Sequence, residues 1–309
     1  MRLATSTSDF NFFADRPEGI LELYAKTPFK YADLDIPHAY VGADWESYAD
    51  RIGNAAARLG LTFIQSHSAD FYVGGPRTGT FHLDNLKNAL RLCRTLGIPK
   101  TVIHAQYTPF IPYENGSPER LAEFRRYNKS LYEQLIPTME ETGVSVLVEN
   151  SAEGNVGQWC YFMTGAQLAE MVDEMDHPLF GAVWDTGHAN MRGNDQYKDI
   201  TALGKRLKAV HIQDNDGRVD EHTAPFMGTT DMDAVLQGLI DAGFEGDFVF
   251  ECFNFPMRGG SWPYARRTTG DLPAPRRLAH PSVELKLAAA AWMYECGKYM
   301  LAQYGITVE

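Results

Sequence analysis

The sequence predicts a single α/β domain over residues 1–309, folded as a (β/α)8 barrel in which eight parallel strands are each followed by a helix. Three observations predict it. Eight short apolar or β-branched runs alternate with stretches of helical periodicity along the chain. Six of these runs end in a side chain able to bind a metal: Thr62-Phe63-Ile64-Gln65-Ser66-His67, Thr101-Val102-Ile103-His104, Val146-Leu147-Val148-Glu149-Asn150, Ala182-Val183-Trp184-Asp185-Thr186-Gly187-His188, Ala209-Val210-His211-Ile212-Gln213-Asp214 and Phe248-Val249-Phe250-Glu251-Cys252. If the runs are parallel strands of one barrel, those endings converge on the C-terminal mouth, where such folds place their active sites. Finally, no Gly-x-Gly-x-x-Gly follows the first run, which removes the open dinucleotide-binding sheet as an alternative.

Taken in order, the first strand is Arg2–Thr7 and a helical stretch follows near Glu18–Tyr24. The alternation of Tyr31–Ile36 predicts a second strand with one face in the core, and Trp45–Leu59 a helix stopped by Gly60. Strand three is Leu61–Gln65. Leu83, Leu86, Leu90 and Cys93 form one stripe of a helix over Leu83–Leu96, which Gly97-Ile98-Pro99 terminates. After strand four, Thr101–His104, a Tyr/Pro-rich loop at Tyr107–Tyr113 walls a pocket or packs as a plain loop, and a long helix runs from Glu119 to Glu141. Strand five follows, then a helix over Gln167–Met175, strand six to Asp185, a helix near Asp195–Leu207 and strand seven. Asp231 N-caps a helix through Asp241, strand eight is Phe248–Cys252, and a helix over Val283–Tyr304 closes the fold. The Arg/Pro/Gly-rich segment 258–279 reads as a loop insertion that covers the pocket or meets a neighbouring subunit, and Arg258-Gly259-Gly260 is only a weak phosphate loop.

Bulk properties narrow the class. A hydrophobic content of 44% supports a large soluble core. No apolar run approaches the ~20 residues that span a bilayer, and Met1–Ser6 reads directly as a strand, so a cytoplasmic protein without a membrane partner is expected. The four cysteines are far apart and lack a Cys-x-x-Cys pair, so neither a dense disulfide framework nor a zinc knuckle is indicated. A net charge of −12 argues against a nucleic-acid partner.

Glu149, Asp185, His211 and Glu251 end strands five to eight, neighbours around the ring, and can approach one point. Three carboxylates and one imidazole make a hard, oxygen-rich donor set suited to one divalent ion: Mn²⁺ first, with Mg²⁺, Co²⁺ or Zn²⁺ as alternatives. His188 faces the same pocket one helical turn beyond Asp185, as a substrate contact or a second-metal ligand. His67 and His104 line the far side, as polar lining or as ligands. In the loop Asp214–His222, Asp214 and Asp216 form a turn with Gly217, Arg218 anchors a hydroxyl or phosphate oxygen, and the Asp220-x-His222 spacing lets both side chains bind one additional ion.

Together, Val148-Glu149-Asn150, Trp184-Asp185-Thr186-Gly187-His188, His211-Ile212-Gln213-Asp214-Asn215-Asp216-Gly217 and Phe250-Glu251 resemble the xylose-isomerase-like barrel superfamily, in particular its sugar (phosphate) isomerase/epimerase branch. Resemblance to the ketose 3-epimerases implies that Glu149 and Glu251 bind the metal and also act as acid and base on the carbon beside a carbonyl. It implies further that Asp185 and His211 complete the coordination and that His188 and Arg218 hold oxygens of a small sugar substrate, while His67 and His104, by their strand positions, are the further candidates for substrate contact. A homo-oligomer is open. Two alternatives share the barrel. A keto-inositol dehydratase uses similar chelation. An endonuclease IV-type abasic-site nuclease carries three zinc ions, and His67, His104, Glu149, Asp185, His188, His211, Asp220, His222 and Glu251 match its ligand types. Such nucleases usually have Cys where Gly187 stands, and the His211-to-Asp220 segment is short for them.

Overall fold

A computed structural model describes residues 1–68, 70–73, 80–106, 118–151, 162–256 and 281–309. Eight parallel strands close into a barrel: Leu3–Ser6, Tyr31–Asp35, Thr62–His67, Lys100–Val102, Ser145–Glu149, Phe180–Asp185, Leu207–Ile212 and Phe248–Phe250. The ring shuts where the first strand pairs with the eighth, Leu3 opposite Phe248 and Thr5 opposite Phe250. An additional two-stranded ribbon, Tyr72–Val73 with Thr80–Phe81, sits outside the ring. The Tyr107–Tyr113 loop, Cys160 and the 258–279 insertion lie outside the described residues.

Two apolar layers fill the barrel. Val102, Leu147, Val183 and Ala209 from strands four to seven form one cluster; Ala4, Ile64 and Val249, with Tyr31 against them, form the other. Side chains alternate along a strand, so the residue two positions beyond an inward-facing one also faces inward, one step nearer the mouth. Counting two from Leu147, Val183, Ala209 and Val249 gives Glu149, Asp185, His211 and Glu251. The same alternation that packs the barrel therefore lifts four metal-competent side chains onto its top layer.

Outside the strands, helices bury their apolar stripes against a larger core. Leu86, Leu90 and Cys93 are fully buried, as their spacing predicts. Helices Trp45–Leu59 and Leu83–Leu96 end at Gly60 and Gly97, with φ of +70° and +72°, a left-handed turn that only glycine adopts without strain. Asp231 caps its helix by accepting from Ala234 N.

The predicted long helix over Glu119–Glu141 is two helices, Pro118–Glu133 and Ile136–Thr142. Pro137 causes the break: it has no N–H to give to the carbonyl four residues back, and its ring collides with that carbonyl. A short helix, Thr186–Arg192, follows strand six directly and was not foreseen from periodicity, because seven residues are too few to show one.

Candidate metal centre

Each candidate ligand is placed by the strand it ends. Glu149 and Asp185 are the last residues of strands five and six, His211 is next to last in strand seven, and Glu251 follows strand eight; all four are buried. Their ligand atoms lie within 4.8 Å of one another. Donors around one ion with bonds of about 2.0–2.3 Å span a similar distance. Three further groups adjoin or overlap this one: His67, His211 and Glu251; His67, His104 and Glu149; and His188, Asp220 and His222. Glu149 thus belongs to two groups, and all nine side chains form one continuous patch at the mouth.

Hydrogen bonds orient the ligands. Asp185 also N-caps the short helix, its Oδ1 accepting from His188 N at 2.6 Å. Oδ2 of the same carboxylate is buried without a hydrogen-bond partner among the described residues. A buried carboxylate oxygen with no donor is costly unless a cation meets it, so this atom fits a metal site. His188 Nδ1 donates to Asn150 O at 2.9 Å and His222 Nδ1 donates to Glu251 O at 2.9 Å. Both Nε2 atoms are left facing Asp220 Oδ2, at 3.5 and 3.0 Å. Fixing the outer nitrogen in this way sets the tautomer that presents a lone pair to an ion.

On the other side, His211 Nδ1 lies 2.7 Å from Glu149 Oε1 and 3.5 Å from Glu251 Oε2. His104 Nε2 lies 2.8 Å from Glu149 Oε2, His67 Nδ1 lies 3.2 Å from Glu251 Oε1, and the two imidazoles meet at 2.7 Å. The glutamates are therefore joined twice, through His211 within the barrel and through the histidine pair at the rim.

Arg218 stands apart. It is exposed, and its side chain makes no hydrogen bond or ion pair to a described residue. Its backbone N–H donates to Asp216 Oδ1 within a turn containing Gly217, at φ +77°. Asp214 is a loop organiser, accepting from the N–H groups of Asn215, Gly228 and Thr230.

Four supporting residues had no assigned role in the sequence. Asn150 clips strand six, donating to Asp185 O and accepting from Asp185 N. Gln213 donates to both Asp185 Oδ1 and Asp220 Oδ1, tying the central group to the outer one. Asp33 and Gln65, fully buried on strands two and three, contact the far nitrogen of His211 at 3.4 and 3.0 Å. Asn150, Gln213 and Gln65 lie inside the strand-end runs, so their positions are visible in the sequence although their bonds are not.

The electrostatics point to a cation. Burial opposes charge on His211 and His188, yet the surrounding carboxylates override it and raise both imidazoles well above their ordinary range. His222 is likewise opposed by burial but raised to about 9 by Asp220 and Glu251. Asp185 is raised to about 6, chiefly by burial. Without a metal, protons neutralise the cluster. A folded-state pKa above the unfolded one stabilises at low pH and loses that contribution as pH rises through the folded value. The metal-free protein should therefore lose thermal stability from about pH 6 to 9, and Mn²⁺ should restore it increasingly over the same window. Thermal melts with and without metal check this, as does proton release on metal titration.

A family model described as xylose isomerase-like TIM barrel matches residues 21–273. The chain belongs to this family. An uncharacterized protein, y4fM of Sinorhizobium fredii, is 27% identical over 168 residues, covering 54% of this chain and 51% of that protein. A ketose 3-epimerase of Arthrobacter globiformis is 31% identical over 113 residues, 36% of this chain and 35% of that one. The chain spans about half the length of the first curated relatives it matches. The crystal structure of a D-psicose 3-epimerase in the presence of D-fructose superposes with a TM-score of 0.72 at 12% identity, covering 97% of this chain and 99% of that one, a likeness of fold.

Proposed function

We propose that the protein is a divalent-metal-dependent isomerase or epimerase of a small sugar or sugar derivative, moving a proton at the carbon next to a carbonyl. The observation that carries this reading is the pairing of Glu149 and Glu251: each has one oxygen within the four-donor group and the other against a rim histidine. Glu149, Asp185, His211 and Glu251 would hold the ion, Mn²⁺ by their donor chemistry, and it would polarise the carbonyl and a neighbouring hydroxyl so that the adjacent C–H becomes acidic.

The proton itself is handled by this chain's residues. One glutamate takes it as base and the other returns one as acid. The His104–His67 pair backs both carboxylates, and His188 borders the sugar's oxygens. Burial keeps water from competing for the same atoms. Arg218 reaches the substrate only if its exposed side chain folds over the mouth. The buried free thiols of Cys93 and Cys252 favour a reducing, cytoplasmic setting. Among the described residues no helix is long and apolar enough to cross a membrane.

The test is incubation of the metal-loaded protein with a panel of ketoses, their phosphates and keto-inositols in D₂O. Deuterium should enter the carbon beside the carbonyl of at least one substrate. Turnover without deuterium at such a carbon would remove the proposal. A dehydratase shares the proton removal and is told apart by loss of water from the product.

One observation favours a second reading, an abasic-site nuclease: the outer groups bring all nine of its expected ligand types to one patch. Gly187 weighs against it. A Cβ there would lie 2.0 Å from Gln213 Oε1, so the cysteine usual in such nucleases would displace the amide that bonds Asp185 and Asp220. The net charge of −12 also repels DNA. Binding of two or three zinc ions per chain with cleavage of abasic duplex DNA would establish the nuclease; one ion without cleavage would dismiss it.

A further inference from the structure

We propose that the substrate carries a second sugar ring beyond the carbon that reacts, and that a separate pocket beside the metal centre is built to hold that ring. The inference rests on the sugar isomerase reading and extends it from small ketoses to their glycosides. A cavity of about 220 Å³ opens between the loops that follow the first and second strands. At roughly 30 Å³ per water it holds about seven waters' worth of volume. That is the scale of one ring with its hydroxyls.

The lining suits a sugar. Tyr40 and Tyr48 stack with centroids 4.4 Å apart and planes 9° apart, and Leu34 adds apolar surface for the C–H face of a ring. Asn11, Arg16 and Asp35 bring an amide, a guanidinium and a carboxylate to the same space. Several of these polar groups are left unpaired. Tyr48 is only 4% exposed, yet its hydroxyl makes no hydrogen bond to a described residue, and burial raises its pKa so that it stays a donor. Asp35 Oδ2 accepts from Asn11 Nδ2 at 2.8 Å, whereas Oδ1 receives nothing from a described residue. Arg16 pairs with no described carboxylate. The Tyr48 hydroxyl therefore bonds whatever fills the cavity, water or a ligand hydroxyl. Arg16 is exposed and stays hydrated, so the groups an occupant would have to match are the Tyr48 hydroxyl and Asp35 Oδ1.

Position links the pocket to the chemistry. Asp35 ends the second strand and pairs in register with His67, whose Nδ1 lies 3.2 Å from Glu251 Oε1. Neighbouring strands are about 4.8 Å apart, so the pocket begins one strand away from a carboxylate of the metal centre. On this proposal, a glycosidic bond from one of its remote hydroxyls carries the second ring of a ketose held at the centre into the pocket.

The test compares the metal-loaded full chain with Tyr48→Phe and Arg16→Ala variants. The probes are D-fructose and three of its glycosylated forms, isomaltulose, turanose and lactulose, read by calorimetric binding and by deuterium exchange beside the carbonyl. At least one disaccharide should bind tenfold or more tightly than D-fructose. Each substitution should weaken that disaccharide about three- to tenfold, the effect of one hydrogen bond, and narrow the preference over D-fructose. No disaccharide preference in the parent, or equal losses for both kinds of sugar in the variants, overturns the pocket. Preference without exchange in any sugar keeps the pocket and removes the isomerase reading. Exchange without preference does the reverse.

Discussion

Glu251→Gln is expected to lower epimerisation by about 10²–10⁴-fold, the usual worth of a positioned acid or base. The substitution is nearly isosteric, and Gln can still accept from His67, so the fold should persist. What disappears is the proton-accepting charge, since an amide cannot take a C–H proton. Burial would raise the pKa of Glu251, but His211 and His222 hold it at about 2, so it is ionised and free to accept a proton throughout the working range. Glu149→Gln should lose turnover equally, because burial is again overridden, by His211 and His104.

The two variants should differ in one measurable way. Each retains one carboxylate, so each should still exchange deuterium into one epimer, and the epimers should be opposite. Metal content measured alongside separates lost acid–base chemistry from a lost ion. Exchange from both epimers in either variant would mean that the second glutamate takes no part.

Lys286→Met is expected to destabilise the fold by about 3–5 kcal/mol, the cost of leaving the partner of a buried ion pair alone. Lys286 lies in the last helix, Val283–Gln303, yet is completely buried. Its ammonium donates to Asp9 Oδ1 at 3.2 Å, to Phe253 O at 3.2 Å and to Phe255 O at 2.6 Å. Asp9 is also buried and accepts from the Thr5 hydroxyl. One side chain thus ties the closing helix, the start of the barrel and the turn after Glu251. That turn includes Phe253, which stacks on His222 with centroids 4.1 Å apart. A urea titration gives the loss, and a Lys286→Met/Asp9→Leu double variant should recover much of it. If the double variant is as unstable as the single one, the carbonyl contacts matter more than the charge pair.

The architecture was legible because its cause is periodic. Short apolar runs with a polar last residue mark parallel strands feeding one mouth, and Glu149, Asp185, His211 and Glu251 follow from that pattern. Less legible was anything that depends on which face of a strand looks inward. Asp33 reads as the polar half of an alternation and so as an outward residue. In a barrel both faces of a strand are covered, and Asp33 is fully buried beneath His211. Lys286 reads as the polar side of a helix, since nothing local records the acceptors 31 to 277 residues away that receive it. Pro137 was a visible breaker that the strong flanking helical periodicity concealed.

The pairing of the first strand with the eighth sets an order of events during synthesis. Leu3 waits for Phe248, and the fourth candidate donor, Glu251, emerges only after that strand. A growing chain can form most of the wall early, but the proposed cation cage is complete only at the moment the circle shuts, so tight metal capture would report that the ribosome has passed the last strand.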